Sequence, residues 1–210
     1  MLRVLSVFCF LLSSVVCSAF EGSIRFILES PFDTVQYTIY VNESFLRIEE
    51  KMSTEKQISR ITLYNRKTKS IFSLSPERKQ YVIVPYSTNK NQEYSSSYEI
   101  IPTTNLKIIN SKRCVQWRVK NKDHQSEVVY WLCTGDYSFF SDFMNHHNRT
   151  DNIRDFFIRI PKNDKYLPLL AEERTLTREL KHRLRTTDII QKHFDDSFFE
   201  ISSEYKLIEL

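Results

Sequence analysis

Cys114–Cys133, CVQWRVKNKDHQSEVVYWLC, decides how this chain is read. Two β-rich runs, Cys114–Lys120 and Glu127–Cys133, flank the polar residues Asn121–Ser126. That is the pattern of a β-hairpin. A turn centred on Asp123 and His124 places Cys114 directly across from Cys133. Directly opposed strand residues lie about 4.5–5.5 Å apart, inside the span of a disulfide. In this register one face collects Val115, Trp117, Val119, Val128, Tyr130 and Leu132, all apolar or aromatic. The other carries the cysteine pair, Gln116 with Trp131, Arg118 with Val129, and Lys120 opposite Glu127. A slip by one residue would scramble both faces. The expectation is a Cys114–Cys133 disulfide on an outward, mostly wet face. The alternative is two unpaired buried thiols, because free cysteine is commonly buried. Zinc is disfavoured, since no CxxC spacing occurs.

The N-terminus reads as a targeting segment. Met1-Leu2-Arg3 is a short positive start, Val4–Val16 an uncharged apolar run, and Cys17-Ser18-Ala19 supplies small residues for a cut after Ala19. A lipoprotein cut before Cys17 is the rival, but Val16 is not the small residue it requires. The apolar run is short for a membrane span. Cys9 and Cys17 would leave with the signal, so two cysteines remain in an oxidising compartment. The expected location is the periplasm or the extracellular space. The expected mature chain is a single domain over 20–210. Its charge is +4 less the one positive charge of Arg3, or +3. Basic and acidic residues are interspersed, without the one-sign stripe of a nucleic-acid binder. The only glycines are Gly22 and Gly135, and no phosphate-cradling loop is present.

From Phe20 to Pro85 the chain reads as an antiparallel meander. Ile24–Leu28 opens it, Val35, Tyr37, Ile39 and Val41 alternate next, and Phe45–Glu50 follows. Ile61–Tyr64 and Ser70–Leu74 are joined by the basic turn Asn65–Lys69, and Ser75–Arg78 turns into Gln80–Pro85. Residues 88–97 read as an exposed polar loop before a second β block that starts near Tyr98. Neither side of that loop looks able to close its own sheet. Asn42-Glu43-Ser44 and Asn148-Arg149-Thr150 match the N-glycosylation pattern.

After Cys133 the spacing becomes helical. Phe139, Phe140 and Phe143 lie on one side of Asp136–Asn145, and Ile153, Phe156, Phe157 and Ile160 repeat the pattern. Residues 136–160 are therefore expected to form a helical lid. Further on, Leu176, Leu180 and Leu184 step by four as in a helix, whereas Asp188–Phe194 is β-prone. The pattern alone leaves 174–192 open between helix and strand. Ser197–Ile201 and Tyr205–Leu207 read as a terminal strand and turn.

Four segments recur in this order in a family of exported bacterial proteins: Phe20–Ile24, Tyr64–Tyr81, the Cys114 element with Val129–Thr134, and Phe198–Leu210. The chain resembles that family, which is similar in fold to the outer-membrane lipoprotein carriers LolA and LolB. The resemblance implies a mainly β (α+β) fold. It would be a curved antiparallel half-barrel sheet with short helices across its concave face. It also implies strands at Leu167–Leu176 and Arg178–Lys192. The chain departs from the family where Ser111-Lys112-Arg113 stands in place of a usual glycine.

No catalytic constellation, metal site or cofactor motif is found. No GxSxG or HExxH occurs. His146 and His147 are adjacent and point apart, a poor chelate even with Asp142 and Asp151 near in sequence. Glu172-Glu173 and Asp195-Asp196 read as solvated pairs, and His182 and His193 as lying among charges. Two non-enzymatic readings remain. In the first, an apolar ligand (a lipid or a lipoprotein acyl chain) lies in a groove between sheet and helices. Val115, Trp117, Val119 and Tyr130 would form its floor, and Phe139, Phe140, Phe143, Phe156 and Phe157 its lid. This reading brings peripheral contact with the envelope membrane. In the second, the same residues fill the closed core of a structural or protein-interaction module. An open apolar channel would favour the first, a packed interior the second.

Overall fold

The computed structural model describes residues 19–86, 97–146 and 152–209. The expected signal segment up to Ser18, the loop as far as residue 96, His147, the Asn148 sequon and Asp151 lie outside the described residues. The strands, in chain order, are β1 (Gly22–Glu29), β2 (Thr34–Val41), β3 (Phe45–Met52), β4 (Arg60–Asn65), β5 (Ser70–Ser75), β6 (Gln80–Val84), β7 (Tyr98–Ile109), β8 (Lys112–Asn121), β9 (Ser126–Thr134), β10 (Tyr166–Thr175), β11 (Leu180–Gln191) and β12 (Lys206–Leu207). Helices α1 (Ser138–His146) and α2 (Asn152–Phe157) lie between β9 and β10. All the strands join one sheet in the order β12-β6-β5-β4-β3-β2-β1-β11-β10-β9-β8-β7.

Alternation explains the meander. Ile24, Phe26 and Leu28 of β1 are buried on the same side as Val35, Tyr37, Ile39 and Val41 of β2, and Ile39 pairs with both Ile24 and Ile48. Gly22 begins β1 with φ of +151°, and a Cβ there would sit 2.1 Å from the Ile190 carbonyl oxygen. Only glycine allows β1 and β11 to approach so closely at that point.

Within Arg178–Lys192, Leu180–Gln191 is a strand, as the resemblance implied and the leucine spacing left undecided. A step of four keeps one face of a strand as well as one face of a helix. The intervening cations settle the matter. Arg183 and Arg185 point away from Leu184, and their guanidinium groups meet Glu172 at 2.9 Å and Glu29 at 3.2 Å. Arg25 meets Asp188 at 2.7 Å on the same outer face. Leu176 belongs to the β10–β11 turn instead and stays exposed.

The Cys114 hairpin has the expected register: Cys114 opposes Cys133, Trp117 opposes Tyr130 and Asn121 opposes Ser126. Asn121 Oδ1 accepts the His124 N–H and holds the turn. One expectation about its far end is corrected. The cysteine end of that side is not wet, since Cys114 and Cys133 are 0% and 3% exposed. The cause is coiling of the sheet. Asn110, at the β7–β8 turn, donates to the Thr186 carbonyl of β11 at 3.0 Å. In a flat sheet β8 and β11 would stand three spacings apart, about 14 Å. The two thiols are not bonded to one another in this structure. Each has another partner: the Cys133 thiol donates to Tyr137 Oη and the Cys114 thiol to the Lys112 carbonyl.

The helices lie on the face that carries Phe26 and Tyr37. Phe140 packs on Phe26 with ring centroids 5.4 Å apart, and Phe143 meets Tyr37 at 5.9 Å. Arg66, from the β4–β5 turn, reaches over to Asp142 and Ser138 of α1, each at 2.8 Å. The opposite face of β2–β6 is covered by the C-terminal segment. Phe194 and Phe198 pack on Tyr40, Phe199 stacks on Phe45, and Ile201 and Tyr205 cover Ile61, Leu63 and Leu74. The expected strand at Ser197–Ile201 is instead a 3-10 turn over Asp196–Phe199, because its aromatic residues cross the sheet rather than join it. The segment joins only at β12, which runs parallel to β6.

Candidate functional site

Of the nine residues expected to line an apolar groove, seven are sealed. Val119, Tyr130, Phe139, Phe140, Phe143, Phe156 and Phe157 are each 0–2% exposed. They pack on one another: Phe140 meets Phe157 at 5.1 Å and Phe143 at 5.6 Å, and Tyr130 meets Phe157 at 5.9 Å. Tyr130 Oη donates to the Ile153 carbonyl of α2 at 2.6 Å. The hairpin face therefore does look at the helices, but the space between is filled. A cleft of about 670 Å³ is lined by residues including Tyr98, Glu99, Arg118, Lys120 and Arg178, and one of about 180 Å³ by residues including Phe45, Phe72 and Phe199. Neither is lined by any of the seven.

Polar chemistry gathers where the sequence reading placed solvated charge. Glu172 and Glu173 are split by the strand to opposite faces. Glu172 points outward to Arg174 and Arg183. Glu173 points inward, 1% exposed, and accepts from Asn152 Nδ2 at 2.7 Å, Ser126 Oγ at 2.8 Å and His182 Nδ1 at 2.8 Å. Burial alone would raise its pKa. The hydrogen bonds from His182, Asn152 and Ser126 outweigh burial and hold the carboxyl below its ordinary range. The parity of Ala171 and Glu173 was the signal in the sequence that could have found it. The trio of Ser126, Glu173 and His182 is not a nucleophilic triad. The serine hydroxyl and the imidazole both bond the carboxylate, whereas activation needs the imidazole to take the hydroxyl proton. The cluster fastens α2 to β9, β10 and β11. Among the described residues no group of three His, Cys, Asp or Glu side chains is arranged to hold a metal ion.

The two remaining groove residues, Val115 and Trp117, are half-buried, and they adjoin a surface that sequence reasoning missed. Val115 opposes Leu106 of β7, and Trp117 opposes Pro102. Leu106 and Ile108 are 52% and 75% exposed. They form an apolar ledge on the last strand of the sheet. Between Pro102 and Leu106 the strand bulges, tied down by Thr103 Oγ1 to the Gln116 carbonyl at 3.2 Å and Asn105 Nδ2 to Gln116 Oε1 at 2.8 Å. Among the described residues no strand pairs with the outer edge of β7, whereas the other edge, at β6, is covered by β12. No helix of the described residues is long and apolar enough to cross a membrane.

Comparison with known proteins finds one family. The model of a domain of unknown function, DUF4412, matches residues 20–205. Among solved structures, MucB is similar at a TM-score of 0.47 and 12% identity, covering 87% of this chain and 58% of that one. PNGF-II is similar at 0.48 and 11%, covering 91% and 32%. An outer membrane lipoprotein-sorting protein domain from Vibrio parahaemolyticus is similar at 0.33 and 9%, covering 85% and 87%. The chain thus spans less than two thirds of the length of the first two. No curated protein matches it.

Proposed function

The chain belongs to the DUF4412 family, and we propose that it is a non-enzymatic binding module of the cell envelope with a closed core. It meets its partner through the β7–β8 ledge. The observation that carries this is the packing of the expected groove. Seven of its nine residues are sealed against one another, while Leu106 and Ile108 stand exposed beside the other two. Freeing the five phenylalanines of the lid would cost about 1.5–3 kcal/mol each. The total, roughly 8–15 kcal/mol, is the size of a whole domain's stability. An acyl chain would have to re-cover all of that surface before any net affinity appeared.

Native mass spectrometry of protein purified from an envelope tests this reading, together with displacement of a fluorescent fatty acid. The expected result is no retained lipid and no saturable fatty-acid binding. A lipid retained at one per chain would overturn the closed module and restore the carrier.

A further inference from the structure

We propose that the occupant of the ledge is a second copy of this chain, with the two β7 strands pairing antiparallel about a twofold axis at the Pro102 end of the bulge. This rests on the reading of the ledge as the binding surface and names its partner.

The strand is self-complementary in that register. Tyr98 of one copy faces Ile108 of the other, Ile100 faces Leu106, and Glu99 faces Lys107. The faces agree as well. Tyr98, Ile100, Leu106 and Ile108 oppose Asn121, Val119, Val115 and Arg113 of β8, and all lie on the helix-bearing side. Glu99 and Lys107 oppose Lys120 and Cys114 on the other side. Opposite charges placed directly across a ladder favour it, and apolar pairs on one face do the same. Neighbouring registers lose the Glu99–Lys107 pairs. A shift of one residue puts each side chain opposite one from the wrong face. A shift of two sets Glu99 against Asn105 or Ile109, and Lys107 against Ser97 or Ile101.

The same surface limits the assembly to two copies. An isologous twofold contact uses each β7 once. The remaining outer edges of the joined sheet are the two β6 strands, each capped by its own β12 at Gln80 and Tyr81. Pro102 and the bulge interrupt the ladder near the axis, leaving two short ladders on either side, a feature that discourages indiscriminate edge pairing. Pairing would also cover Leu106 and Ile108, the apolar side chains that β7 leaves most exposed.

Charge reversal tests the proposal on the purified protein, with sedimentation or light scattering over a range of concentrations. The wild type is expected to approach twice the chain mass as concentration rises. Lys107→Glu and Glu99→Lys should each return it to the monomer, because like charges then face one another twice across the axis. The double variant, Glu99→Lys with Lys107→Glu, should recover the dimer. Circular dichroism of each variant separates lost pairing from lost folding. A wild type that stays monomeric would overturn the proposal, as would a dimer indifferent to the single reversals, or a folded double variant that fails to recover. Any of these outcomes leaves the lipid-retention result untouched, so the two readings fail separately.

Discussion

Glu173 shows how one residue fastens two layers. It sits 1% exposed with three donors, from β9, β11 and the start of α2. Its neutral form would lose the charge-assisted strength of those bonds, each worth about 1.5–3 kcal/mol. Its pKa is lower folded than in the ordinary carboxylate. The stabilisation is therefore present above the unfolded pKa and is lost as pH falls through the folded one. Denaturant melts at decreasing acidic pH should show this loss. In Glu173→Gln the acid-dependent part should shrink, on top of a lower stability at neutral pH. An unchanged acid slope would remove Glu173 from the account. The cysteines behave in the opposite sense. Burial pushes the Cys114 thiol up to about 11 and raises that of Cys133. The thiolate is the reactive form, so iodoacetamide at neutral pH should label neither cysteine in the folded protein and both in denaturant. Rapid labelling of the native state would mean that the hairpin end opens. That these two residues stand opposite one another was legible from a turn position. Their burial was not, because it depends on Asn110 reaching a strand far away in sequence.

At the scale of elements, the helices contribute aromatic surface more than length. Phe140 alone meets Phe26, Phe139, Phe143 and Phe157. Phe140→Ala should cost about 3–5 kcal/mol in urea melts, as a large-to-small core change does. Phe32→Ala should stay within about 0.5 kcal/mol, since that ring stands 99% exposed at the β1–β2 turn. Equal effects would mean the helix layer is not packed as described. The helical spacing of Phe139, Phe140 and Phe143 was readable because the residues share one face of one element. The strand at β11 was ambiguous because leucines four apart satisfy either period. What resolves it is the pairing of Arg183 and Arg185 with carboxylates on two neighbouring strands, and spacing within a single segment carries no such information. The ledge was missed for the same kind of reason. Leu106 and Ile108 read as ordinary strand residues until β7 is known to be the last strand of the sheet.

The whole molecule is one sheet that neither half of the chain can complete. β1 lies between β2 and β11, so its second ladder comes from residues about 160 positions away in the sequence. The inward face of β1 and β2 is covered by Phe140 and Phe143 of α1, and Arg66 is anchored on Asp142 and Ser138. The outward face of β2–β5 is covered by residues 194–205. A fragment of residues 20–86 would therefore bare apolar surface on both faces together with one edge of β1. Open strands and uncovered faces of this kind promote association in place of folding. The fragment should lack a cooperative melt and show poor dispersion of amide signals in NMR. Adding residues 97–209 in trans should restore order if the ladders alone specify the assembly. A fragment that melts sharply by itself would mean that the meander is an independent domain. In that case the β1–β11 ladder would be a contact between two units, and the closed core inferred for the whole chain would have to be reassigned to one of them.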